Sequence, residues 1–290
     1  LKNVAKLFKE FPFFLGAPAL LWQVLFLYLP LLFIVGISIT QFSSTGEYEG
    51  LTLRHYVPFF TATYFRVIFR SLALAAINTL FCFLLAYPVA YFIVFRAKRF
   101  KTLFLFLLIV PFWVNFLLHV YAWFFLLERG GVVNRFLMWI GMIEQPLTLL
   151  NSQFAVSLGM LYCYLPFMAL PIYSALERFD RRLIEASLDL GASPWETFRK
   201  VTFPVTYPGW QSGLFLVFIP SSAEFAIPAL LGGDKHVFMG SVIAQYVLGS
   251  QTLPLGAAFT VICCVILVLC LSLTYHWVQK TFSYFRRGIA

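Results

Sequence analysis

The 290-residue chain is 61% hydrophobic and only 11% charged, with a mean hydropathy of +0.86. A soluble domain carries about 25% charged residues, so this composition excludes one and points to an integral membrane protein. The formal net charge of +9 does not point to nucleic acid, because the bases lie in short clusters between apolar runs and not along one polar face.

Residues 1–14 are short and basic, with Lys2, Lys6 and Lys9, and the sequence opens on Leu1, as a trimmed or alternatively started chain would. The apolar run over residues 15–40 is too long for a signal-peptide core and is expected to remain as a span. Further runs over 71–95, 102–127, 154–176, 209–231 and 255–278 each have roughly the 20 residues that cross the hydrocarbon core as a helix. The expected fold class is an all-α integral membrane protein of six transmembrane helices, read as a single domain over residues 1–290.

Lys and Arg set the orientation. With both termini in the cytoplasm, the inside holds Lys2, Lys6, Lys9, Arg96, Lys98, Arg99, Lys101, Arg178, Arg181, Arg182, Arg199, Lys200, Lys280, Arg286 and Arg287, which is 15 of 21 bases. Two segments then lie outside. Residues 41–70 read as a short loop with an interfacial turn. Residues 131–143 repeat apolar side chains at Val132, Phe136 and Ile140 and are expected to lie along the outer membrane surface; for either segment a dock for an external partner is the alternative.

Prolines interrupt the runs at Pro88, Pro111, Pro166, Pro171, Pro220 and Pro228, and each is expected to kink or open its helix. The five cysteines (Cys82, Cys163, Cys263, Cys264, Cys270) all fall inside predicted spans and read as small apolar packing residues. Neither a disulfide framework nor a metal site is expected from their spacing.

The loop over 177–208 differs from the rest. Up to Pro204 it holds five acids (Glu177, Asp180, Glu185, Asp189, Glu196) and five bases, in a chain with 12 acids in all. A balanced mixture suggests a folded piece with its own surface. Asp180 is placed to cap a helix over 180–190, and Gly191 sits where a left-handed stop needs a residue without Cβ. Ser193-Pro194-Trp195-Glu196 reads as a fresh start, with Ser193 as N-cap and Glu196 closing a capping box. This second helix, carrying Trp195 and Phe198, is expected to stop before Pro204.

Glu185-Ala186-Ser187, three further residues, Gly191 and an apolar run to Pro204 resemble the "EAA" loop of permease subunits of type I ABC importers. The resemblance implies that the short helix after the glycine is a coupling helix seated on a cytoplasmic ATPase, with Glu185, Ala186, Gly191, Ser193, Trp195, Glu196 and Phe198 as coupling residues. It also implies two ATPase subunits, a second permease chain and a soluble binding protein outside. The chain has no G-x-x-x-x-G-K-[ST] loop, so a partner is expected to hydrolyse ATP, and neither catalysis nor a cofactor is expected here.

Among the predicted spans, one acid lies deep. Glu224, in FIPSSAEFAIPALLGG, is about 15 residues, roughly 20 Å, along the fifth run. A carboxylate at that depth must pair, protonate or meet water in a cavity. The segments FLFLLIVPFWVNFLLHVYAW, RFLMWIGMIEQPLTLL and FIPSSAEFAIPALLGG, with the loop, resemble the polyamine (spermidine/putrescine) branch of these permeases. Over the whole chain the likeness is closest to the putrescine permease subunit. It implies a flexible polycation as substrate, suited to one carboxylate and many aromatic faces. Glu224, Phe225, Tyr121, Trp123, Tyr162 and Tyr164 are the candidates for its path. The alternative is a proton- or sodium-driven transporter with Glu224 as relay, although neither inverted repeats nor a network of intramembrane acids is visible. A membrane hydrolase would need a spaced set from His55, His119, His236 and His276, which the sequence scatters.

Overall fold

Inside a membrane each backbone N–H and C=O must find a partner within the protein, and a helix is the one form an isolated apolar run can take. The computed structural model describes residues 12–43, 47–97, 99–233, 237–249 and 253–287. Lys2, Lys6, Lys9, Lys98, Lys235 and His236 lie outside the described residues. The chain divides into two compact units, residues 1–61 with 243–265, and residues 62–242 with 266–290.

The first unit begins with α1 (Pro12–Gln23), a π turn (Val24–Tyr28) and α2 (Leu29–Ile39). The predicted loop after it is more ordered than expected. Strands β1 (Thr40–Phe42) and β2 (Tyr48–Leu51) pair antiparallel with Thr40 opposite Leu51, and a 3₁₀ turn follows over Arg54–Phe59. Buried Ser38 shares a 2.7 Å hydrogen bond with the Tyr56 hydroxyl, and Phe59 packs against the rings of Tyr246 and Phe259.

The second unit opens with α3 (Ala62–Phe95), nine residues earlier than its apolar run predicts. The segment 102–127 is not one helix. It consists of α4 (Lys101–Ile109), a 3₁₀ turn (Val110–Trp113) around Pro111, and α5 (Phe116–Leu127), restarted by the Asn115 side chain accepting from the Leu117 N–H at 2.8 Å. Next come α6 (Val132–Trp139), whose outward apolar face includes Val132, Phe136 and Trp139, and α7 (Gln153–Glu177). Asn134, fully buried on α6, pairs its amide with both backbone groups of Leu147 and ties α6 to the segment that precedes α7.

Loop helices α8 (Arg182–Asp189), α9 (Pro194–Thr197), a π turn (Phe198–Thr202) and α10 (Phe203–Val205) lead to α11 (Tyr207–Ala223). A second π turn (Pro228–Gly232), α12 (Met239–Leu248) and α13 (Leu253–Arg287) complete the chain.

Helices α3, α7 and α11 form the centre of this unit. Their association uses small residues, because lipid tails give apolar helices no reason to prefer one another. Asn78, Cys82, Ala86, Ala90 and Val94 recur every fourth residue on the buried face of α3. On α11, Gly209 and Gly213 form a G-x-x-x-G pair. A Cβ at Gly209 would lie 2.4 Å from the Ala175 Cβ, and one at Gly213 would lie 2.7 Å from the Met168 sulfur. Asn78 donates to Ser221 at 2.9 Å and ties α3 to α11 by a buried polar bond.

Among the described residues, five helical stretches are long and apolar enough to cross a membrane: Gly16–Ile39, Ala62–Phe95, Phe116–Trp139 (α5 and α6 taken together), Gln153–Glu177 and Leu253–Lys280. The predicted span over 209–231 is not among them, because it breaks after 17 residues at Ala223. The prolines do not act alike. Pro88, Pro166, Pro171 and Pro220 lie inside continuous helices, while Pro111 and Pro228 adjoin the two breaks.

Candidate functional site

Two places in the second unit combine unusual backbone with chemically active side chains. The first is the loop over 177–208. The helix α8 starts at Arg182, two residues later than predicted, and its N-cap position is Arg181, which makes no side-chain cap bond; Asp180 stands one residue further out, where its carboxylate accepts from the Arg182 N–H at 3.0 Å. Gly191 has φ +82°, and no atom lies within 4 Å of where its Cβ would stand. Only the backbone conformation demands glycine there.

The capping box is formed. Ser193 Oγ accepts from the Glu196 N–H at 3.3 Å, and Glu196 Oε2 accepts from the Ser193 N–H at 3.0 Å. Lys200 adds a 3.1 Å ion pair. The Ser193 N–H first, then the Lys200 ammonium and the Ser193 hydroxyl, hold the Glu196 carboxyl at about 2. The second helix does not stop before Pro204. Phe198–Thr202 widens to a π turn in which the Phe203 N–H reaches back to the Phe198 carbonyl, and Pro204 enters the next turn where its missing donor costs little.

Apolar side chains face outward at the tip of this piece. Leu190 is 89% and Trp195 67% exposed, with Leu183 and Leu188 beside them. Glu185 and Ala186 are also exposed. Trp195 stacks on Phe198 at 5.5 Å, and Phe198 meets Tyr87 and Tyr91 of α3 edge-on. Tyr87 in turn shares a 2.9 Å hydrogen bond with Thr206 at the entry to α11. Ser187 bonds Thr197 at 3.0 Å and locks the two loop helices together. Arg181 donates to the Val94 carbonyl at 2.9 Å and lies over the Phe95 ring, capping the end of α3 where the helix dipole favours a cation. Arg181, Tyr87 and Thr206 are structural anchors of the loop whose contacts with α3 and α11 the sequence does not indicate.

The second place is the break after α11. Glu224 has extended ψ (132°), and its Oε1 accepts from the N–H groups of Phe225 (3.1 Å), Ala226 (2.9 Å) and Ile227 (3.4 Å). The carboxylate thus takes donors that a continuing helix would use, and Pro228 has no N–H to return to the Glu224 carbonyl. Tyr164 of α7, buried at 7% exposure, donates its hydroxyl to Glu224 Oε2 at 2.5 Å. Gly240 of α12 lies against the broken backbone, where a Cβ would stand 2.2 Å from the Ala223 carbonyl oxygen. The segment ends where the Asn151 N–H bonds the Leu231 carbonyl and Gly233 takes φ +62°.

Of the six residues predicted for a path, Glu224, Tyr164 and Phe225 come together here. Trp123 and Tyr162 meet elsewhere, ring to ring at 5.7 Å, with His119 at 5.4 Å from Tyr162. His119 and Tyr162 line a cleft of ≈ 200 Å³ beside Pro111. Tyr121 is exposed on α5.

A bundle of apolar helices with a presented helix–turn–helix and a broken helix is the architecture of a multi-pass membrane protein. Residues 80–284 match the family described as binding-protein-dependent transport system inner membrane component, and the chain belongs to that family. It is a permease subunit of type I ABC importers, a multi-pass protein of the inner membrane. This membership displaces the proton- or sodium-driven alternative.

The chain is 39% identical over 257 residues to the spermidine/putrescine transport system permease protein PotB of Salmonella typhimurium, covering 88% of this chain and 89% of the relative. The PotB of Haemophilus influenzae is 34% identical over 256 residues, with 88% and 90% covered. The inner membrane ABC transporter permease protein YdcU of Escherichia coli is 32% identical over 236 residues, with 77% and 74% covered. Among solved structures, a bacterial ABC transporter involved in the import of alginate superposes with a TM-score of 0.75 at 18% identity, over 96% of this chain and 99% of that one. That likeness concerns the fold alone.

Proposed function

We propose that this chain is the permease subunit through which an ATP-driven importer moves polyamines into the cytoplasm. The reading has six crossings, with the broken segment over 207–232 as one of them, both termini and the 177–208 loop on the cytoplasmic side, and a single permease domain. The observation that carries the coupling is the loop tip, where Leu190 and Trp195 stand in the open on a capped, aromatic-backed base. Exposed large apolar groups on a rigid support mark a protein contact. The partner there is the ATPase, which touches Glu185, Ala186, Gly191, Ser193, Trp195, Glu196 and Phe198 or the backbone they shape. The Trp195–Phe198–Tyr87–Thr206 contacts carry movement of the tip into α3 and α11.

The similarity to spermidine/putrescine permeases supports the substrate class. Glu224 and Phe225, with Tyr164 behind them, and the Tyr121, Trp123 and Tyr162 aromatics line the path. A second, different permease chain and a soluble binding protein complete the importer. The test is purification of the tagged chain in mild detergent. The wild type is expected to bring down an ATPase and a second permease. Glu185→Lys and Leu190→Asp are expected to lose the ATPase while keeping the permease. Retention of the ATPase by both variants would remove the loop from its proposed role.

A further inference from the structure

Glu224 is not a loose side chain waiting in a cavity. A carboxylate offers about four lone-pair sites. Three backbone N–H groups converge on Oε1, which is therefore filled and turned into the break. Oε2 has one donor, the Tyr164 hydroxyl at 2.5 Å, and keeps a free lone pair. The two oxygens thus have separate tasks. Backbone holds Oε1 for the fold, and a single side chain from another helix aims Oε2.

We infer that Tyr164 is a positioning residue for transport, holding Glu224 Oε2 as the acceptor offered to a primary ammonium group. This rests on the proposed reading that Glu224 lines the polyamine path. Tyr164 itself is buried and stays behind the carboxylate, whereas Glu224 is half-buried and Phe225 beside it is exposed. A fixed carboxylate binds without first ordering its own rotamers, so the hydroxyl contributes affinity it does not make by contact. An ammonium with N–H donors can use the remaining Oε2 lone pair, and a trimethylated nitrogen cannot.

The experiment is labelled putrescine uptake by the assembled importer in cells, with chain level and ATPase association matched to wild type. Tyr164→Phe keeps the buried ring and removes only the hydroxyl. It is expected to raise the uptake KM about fivefold with little change in maximal rate, the effect of one net hydrogen bond. In a Glu224→Gln background, itself expected to cut uptake sharply, the same substitution is expected to add nothing. An equal Tyr164→Phe effect in both backgrounds would make Tyr164 a packing residue acting independently of Glu224. Wild-type uptake by Tyr164→Phe beside an impaired Glu224→Gln would overturn the positioning role and leave the path intact. Wild-type uptake by Glu224→Gln would remove the path reading, and the inference with it.

Discussion

The loop around Gly191 and the break around Glu224 both interrupt helices, but by opposite means. At Gly191 the space is open and the backbone is left-handed, so the residue type answers a purely local demand. At the break the constraints come from afar, with Tyr164 from α7, Gly240 from α12 and Asn151 from before α7. The loop is a locally encoded piece that presents its apolar side outward, whereas the break is imposed by the elements packed around it. The permease thus appends a surface that a partner can seize to a core whose breaks depend on long-range fit.

The largest expected effect breaks the comparison at its crowded end. Gly240→Ala places a Cβ 2.2 Å from the Ala223 carbonyl oxygen and 2.7 Å from that of Glu224, both backbone atoms that cannot swing aside. Overpacking of this kind costs about 1–3 kcal/mol. Thermal unfolding in detergent is expected at a clearly lower midpoint, with reduced yield from membranes. An unchanged midpoint would mean that the break relaxes freely and is not set by its neighbours.

The second effect is smaller in energy but decisive in function. Gly191→Val meets no atom, and its cost is the left-handed backbone alone, about 1–2 kcal/mol. The unfolding midpoint is expected to fall less than in Gly240→Ala, while polyamine uptake and substrate-stimulated ATP hydrolysis are lost because α9 is re-aimed. If Gly191→Val lowers the midpoint as far as Gly240→Ala does, the loop is not the separable piece described here.

This contrast also explains what the sequence made legible. The capping box, the Gly191 stop and the placement of Trp195 and Phe198 followed from rules that span three or four residues. The runs over 102–127 and 209–231 each read as one crossing kinked or opened at its prolines, because hydropathy records only that a run is apolar and cannot tell a kink from a full break. Pro111 and Pro228 lie at real breaks, but Pro88, Pro166, Pro171 and Pro220 carry the same sequence signal within continuous helices. Which proline breaks a helix depends on whether a side chain, here Asn115 or Glu224, takes over the freed donors. Glu224 itself stood out as a lone intramembrane acid, but its partner Tyr164 lies 60 residues away and was one aromatic among many. The G-x-x-x-G at Gly209 and Gly213 is readable from spacing alone, because close helix approach needs only two small residues one turn apart.

The smallest expected effect tests whether the loop's start is held by charge. Glu196 has its folded carboxyl at about 2 against an ordinary 4.5, chiefly because the Ser193 N–H bonds the ionised form. A depressed carboxyl contributes stability that is complete above the unfolded value and lost as pH falls through the folded one. The capping box should therefore be intact from neutral pH down to about 4.5 and fail between there and about 2. Lys200 is well exposed, so its ion pair adds little to this. The measurement is amide hydrogen exchange across 193–197 in detergent, expressed as protection relative to the unstructured peptide at each pH. Protection is expected to be flat from pH 7 to 5 and to fall below 4.5. Glu196→Gln, which keeps an acceptor but not the charge, should start lower and show no step. An identical step in that variant would assign the acid sensitivity to another group, and the N-terminus of α9 would then rest on Ser193 and Pro194 alone.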